Sequence, residues 1–111
     1  MPLLRIERWD VRADGQLSEA ALQRKIESHG FELAARIYPA AIATGVTDER
    51  PSVTAVVQGI VRLTVGDDPE LLSDGDLAIL PGGVLRRLEA VGSVPTLCLE
   101  GYQRQSLSQN A

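Results

Sequence analysis

Hydrophobic positions along the chain change from a helical to a strand period near Phe31. Before that point, Leu4 and Ile6 alternate with Arg5 and Glu7, which predicts a short edge strand over 3–9. Asp14-Gly15 marks a turn. A helix is expected next: Ser18 suits an N-cap, Glu19 puts a negative charge in the first turn, and Leu17 and Leu22 have the spacing of a hydrophobic staple. It should run to about Ser28 and close at Gly30 in the left-handed conformation. Its apolar stripe, Ala21, Leu22 and Ile26, is narrow, which fits a helix lying on a sheet surface.

From Phe31 onward the pattern is one of strands. Phe31, Leu33, Ala35 and Ile37 fall on one face, with Glu32, Arg36 and Tyr38 on the other, and Pro39 ends or bends the strand. A loop is expected over 40–51. The β-branched runs 53–57 and 60–65 are separated by Gln58-Gly59, which reads as a hairpin corner. Turns at Gly66-Asp67-Asp68-Pro69, Ser73-Asp74-Gly75-Asp76, Pro81-Gly82-Gly83 and Gly92 to Pro95 then separate strands at 71–72, 77–80, 84–91 and 96–102. Turn signals about every ten residues after a single helix predict an all-β barrel or sandwich. The polar segment 104–111 is expected to be a flexible tail.

Composition narrows the function classes. A chain of 111 residues, 44% hydrophobic and 23% charged, has the size and balance of one globular domain. Fifteen acidic against eleven basic residues leave a formal charge of −4, so the surface offers no general attraction to nucleic acid or anionic lipid. No stretch has the length and apolar character of a membrane span, and the N-terminus lacks the features of a leader, so a soluble cytoplasmic protein is expected. Cys98 is the single cysteine and His29 the single histidine, which puts most familiar transition-metal sites out of reach.

Gly75-x5-Pro81-x-Gly83-x2-Arg86 resembles the second signature of the cupins, G-x5-P-x-G-x2-H-x3-N, at three of its five fixed positions. RIERWD, then DGQLSEAALQRKIESHGFE, then Tyr38-Pro39 is similar to the opening of short bacterial single-domain cupins. The resemblance extends over 3–102. It implies a cupin-type jelly-roll β-barrel with one short N-terminal helix, forming a single domain over 1–103. Metal-using cupins carry a first signature, G-x5-H-x-H-x3,4-E-x6-G. Counting back from Gly59, its glutamate falls at Ser52 and its histidines within Gly45-Val46-Thr47-Asp48-Glu49. The second-signature histidine is Arg86 and the asparagine is Ala90. A guanidinium stays protonated and has no free lone pair, so Arg86 cannot ligate a metal, and the family's metal chemistry does not transfer. No cofactor is expected.

Arg86 is the informative position, because strand parity groups it with Val84, Leu88 and Ala90 and sets Arg87 and Glu89 opposite. A guanidinium on an apolar face needs a partner. Either it forks to a small anionic ligand in a pocket formed with Asp48, Glu49 and Ser52, or it is satisfied internally by Asp48, Glu49, backbone carbonyls or water. The favoured function is a metal-free, non-catalytic binding protein, scaffold or sensor. Two alternatives stay open. One is a metal-independent isomerase, epimerase or lyase using Arg86 to orient substrate and Asp48 or Glu49 as acid or base. The other is a metalloenzyme with unusual carboxylate ligands. A homodimer is expected, with the 3–9 strand pairing across it.

The remaining candidates read as structural. His29 is a solvated residue at the helix C-terminus, and Cys98, set beside Glu100 and away from Leu97 and Leu99, is an inert thiol. Trp9 and Tyr38 are packing residues, Arg62 is a surface charge, and Asp74-Gly75-Asp76 is a turn with capping carboxylates.

Overall fold

Strand alternation after Phe31 gives each ribbon two different faces, and two antiparallel sheets bury them. The structure, a computed structural model, describes residues 4–38, 42–46, 49–93 and 95–104, of which 42–46 as backbone only. In chain order the elements are β1 (Arg5–Glu7), α1 (Val11–Asp14), α2 (Glu19–Ser28), β2 (Phe31–Ile37), β3 (Ile42–Val46), β4 (Ser52–Gln58), β5 (Val61–Val65), β6 (Asp68–Leu72), β7 (Leu77–Leu80), β8 (Leu85–Ala90) and β9 (Leu97–Gln103). One sheet has the order β1-β7-β4-β9-β2 and the other β3-β8-β5-β6. This is the all-β architecture that the turn spacing predicts, in the jelly-roll form that the resemblance implies.

Two apolar clusters follow from the alternation. Between the sheets, Val56, Ala78, Leu80 and Cys98 of the first meet Val61, Leu63, Val65, Leu72 and Leu88 of the second. On the outer face of the five-stranded sheet, Val53, Ala55, Leu77 and Leu99 pack against Leu22 and Ile26 of α2. β4 is therefore buried on both faces, which is why Ser52 to Val56 reads as a continuous run rather than an alternating one. The helix lies where its narrow stripe suggests. Ser18 Oγ accepts the Ala21 N–H at 3.0 Å, Leu17 packs into the same cluster as Leu22, and Gly30 takes φ 86° just beyond the C-terminus. Full burial of Leu22 and Ile26 contributes about 1.5–3 kcal/mol each.

Five expectations are corrected. Asp14-Gly15 is not an isolated turn but the end of α1, a second short helix capped by Asp10, whose Oδ1 accepts the Arg12 N–H at 3.0 Å. Lys25 of α2 ties this helix down by donating to Asp14 Oδ2 at 2.9 Å. The segment 40–51 is not all loop: it contains β3, which pairs with β8 from Ile42↔Glu89 to Val46↔Leu85. Gln58-Gly59 is not a hairpin, because β4 and β5 belong to different sheets and the chain turns a corner between them. Gly59 has φ 99°, its N–H donates to Asp74 Oδ1 at 2.8 Å, and a Cβ there would lie 2.4 Å from Thr96 Oγ1. The hairpin is β5–β6, closed at Val65↔Asp68, and Pro69 lies within the edge strand β6, where a missing N–H is tolerated. β2, finally, does not keep one face. Leu33 pairs with Gly101 and Ala35 with Glu100, so Ala34 is an inserted residue. The bulge sends Phe31 and Leu33 towards α2 and Ile37 between the sheets.

Pro39 and the tail from 105 onward lie outside the described residues. Arg104, the last described, donates its N–H to the Gly30 carbonyl at 2.8 Å. Among the described residues no helix is long and apolar enough to cross a membrane.

Candidate functional site

Polar side chains gather at one end of the space between the sheets, and the pairing of β4 with β9 puts them there. Val56↔Cys98, Thr54↔Glu100 and Ser52↔Tyr102 are successive partners on the inward face. The first pair is part of the apolar core and the next two are polar. From the opposite sheet, β8 sends Arg86 across the gap. Its Nη1–H donates to Thr54 Oγ1 at 2.9 Å, and its other terminal nitrogen forms an ion pair with Glu100. The side chains of Arg86 and Glu100 are 21% and 14% exposed, so both charges have left most of their water. Each compensates the other's desolvation, and Thr54 supplies a hydrogen bond in a region of low dielectric.

Ser52 is different. It is 5% exposed, and its hydroxyl has no hydrogen-bond partner among the described residues. Tyr102, opposite it in the register, carries the Arg50 guanidinium 5.0 Å above its ring. Cys98 forms part of the floor. Burial pushes its thiol up to about 12, with the Glu100 charge adding to the rise and Arg86 opposing it. It is held protonated and is no nucleophile at neutral pH.

Strand parity put Arg86 on the inward face, where the structure has it; Ser52, a candidate by the count back from Gly59, lies on the inward face of β4. Among the described residues the carboxylate that meets Arg86 is Glu100, not the expected Glu49. Glu49 is exposed, and Asp48 lies outside the described residues. The sequence signal for Glu100 was its shared parity with Cys98, which put an acid two residues from an inward thiol. It was obscured because Leu97 and Leu99 make the opposite face equally apolar.

The other candidates sit elsewhere. His29 caps α2, as its position suggested, but its Nε2 lies 2.9 Å from Glu7 Oε2, and this hydrogen bond chiefly holds the Glu7 carboxyl below its usual range. Asp76 Oδ2 accepts the Ser73 N–H at 2.8 Å and pairs with Arg8, so the 73–76 segment is a carboxylate-capped turn as read. Arg62 pairs with Glu89 at 3.0 Å on the surface. Trp9 packs against the α2 cluster and donates Nε1–H to the Gly15 carbonyl at 2.8 Å, whereas Tyr38 is 64% exposed. Among the described residues no three His, Cys, Asp or Glu side chains converge to hold a metal ion. Among the described residues the polar end presents a guanidinium, a carboxylate bound to it and the hydroxyls of Ser52, Thr54 and Tyr102, a donor set that does not fit a transition metal.

No family model matches the chain, and no curated protein does. Solved structures do. A cupin 2 domain-containing protein from Halorhodospira halophila is 16% identical, with 98% of this chain and 86% of that one covered and a TM-score of 0.59. The Cupin_2 domain of an XRE family transcriptional regulator from Enterobacter cloacae is 12% identical over 95% of this chain and all of its own, with a TM-score of 0.58. For a protein from Photorhabdus luminescens the values are 15%, 68% of this chain and 0.57, and the match spans 62% of that protein's length. Likeness at such identities concerns the fold.

Proposed function

We propose that this chain, a cupin-type jelly roll, is a metal-free and non-catalytic protein that binds a small anionic molecule at the Arg86 end of its barrel. The observation that carries the reading is the inward seat of Arg86 between Thr54 and Glu100, at the position where the resemblance would put a metal-binding histidine. A guanidinium has five N–H groups, and among the described residues the contacts to Thr54 and Glu100 leave others for a ligand. Glu100 fixes the fork in place.

Turnover without metal would need a base at the site. Glu100 is committed to Arg86, and the Cys98 thiol is held protonated. Binding without turnover is also in keeping with the use of this fold as a domain of a transcriptional regulator. A homodimer belongs to the same reading. The outer edges of β1 and β2 have no partner strand among the described residues, and β1 is the segment best placed to pair with a second copy. The single buried thiol suits a reducing cytoplasm.

Thermal shifts with acetate, propionate, pyruvate and phosphate test the binding. A ligand at a hundredfold excess over its Kd should stabilise wild type by ~2.7 kcal/mol. The same ligand should do nothing for the double variant Arg86→Met/Glu100→Leu, which removes the charges as a pair. Absence of a shift with every anion, or an equal shift in the double variant, would contradict the proposal.

A further inference from the structure

We infer that the anion is a small hydroxy acid, and that Ser52 is the residue that reads its hydroxyl. The inference rests on the binding reading above and adds the class of ligand. It starts from a buried hydroxyl that gives the fold nothing. Ser52 is 5% exposed on the inward face, and its Oγ neither donates nor accepts among the described residues. Buried polar atoms in native proteins are almost always partnered, and an orphan calls for an explanation such as an ordered water, an ion or a bound molecule.

The donor and acceptor inventory supplies one. Arg86 offers donors only. One inward pair further out, Ser52 can donate and accept, and the Glu100 carboxylate, while paired with Arg86, can accept further hydrogen bonds. A plain carboxylate offers acceptors only, so it could satisfy Arg86 but would leave the acceptors of Ser52 and Glu100 unmet and would face the Glu100 charge. A carboxylate with a hydroxyl on the next carbon or the one after answers both sides. Its anionic end takes the free N–H groups of Arg86, and its hydroxyl donates to Glu100 or Ser52 while accepting from Ser52. Two inward residues along a strand are ~6.6 Å apart, a span that such a molecule and its hydrogen bonds cover.

The test compares matched pairs that differ by one hydroxyl, lactate against propionate and 3-hydroxybutyrate against butyrate, titrated calorimetrically into wild type and Ser52→Ala. At least one hydroxy acid should bind wild type tenfold or more tightly than its deoxy partner, and the ratio should fall to within twofold in the variant. Because Ser52→Ala strands no partner, it should melt at or above the wild-type temperature, which separates a lost contact from a lost fold. Equal binding of hydroxy and deoxy acids, or a ratio unchanged in Ser52→Ala, overturns the inference and leaves the anion reading intact. Failure of every carboxylate to bind overturns both.

Discussion

Arg86 is a charge inside a barrel, and its partners decide what its replacement would do. Arg86→Ala strands the Glu100 carboxylate in a region with little water, and breaking one side of such a pair costs about 3–5 kcal/mol. Replacing both, as in Arg86→Met/Glu100→Leu, leaves no charge behind and should be neutral or stabilising by about 1–4 kcal/mol. Urea denaturation of the two variants checks the contrast, and equal losses in both would count against an ion pair at this place. Cys98 gives a second test at the same scale. With its thiol pushed up to about 12 by burial, the native protein should be inert to a thiol-disulfide reagent at pH 8, while the urea-unfolded chain should react at once. Rapid labelling of the native state would place the thiol outside the core.

At the scale of elements, period and punctuation carried much of the fold and failed at identifiable points. The Ser18-capped helix and the strands beginning at Val61, Leu77, Leu85 and Leu97 were legible because cap, staple, parity and turn residues agree there. The β4–β5 corner was not, because a glycine connector serves a hairpin and a change of sheet equally well, and alternation does not say which sheet a strand joins. β3 was missed because the apolar side chains around Ala40 to Val46 lack a clear polar alternation and are bounded by Pro39. The β2 bulge left the sequence pattern intact while exchanging the faces. The site followed the same logic: Arg86 stood out as a cation on an apolar face, whereas Glu100 sat in a strand apolar on both sides. Gly59 is the residue on which the corner turns. With φ 99° and Thr96 Oγ1 2.4 Å from where a Cβ would be, Gly59→Ala should lower the melting temperature clearly, whereas a hairpin glycine free of contacts would tolerate the change far better.

The whole molecule is a two-sheet barrel with α2 sealing the outer face of one sheet and a polar cluster at one end of the space between the two. The dimer proposed from the edges at β1 and β2, unpaired among the described residues, predicts twice the chain mass by light scattering after gel filtration at micromolar concentration. A single-chain mass there would remove the dimer from the proposal. The binding claim is tested most directly by titrating a carboxylate such as lactate into protein dialysed against EDTA. Expected is saturable binding with the same Kd before and after dialysis, abolished by Arg86→Met/Glu100→Leu. Binding that appears only when iron, manganese, nickel or zinc is added, or that survives in the double variant, would contradict a site built on the Arg86 guanidinium.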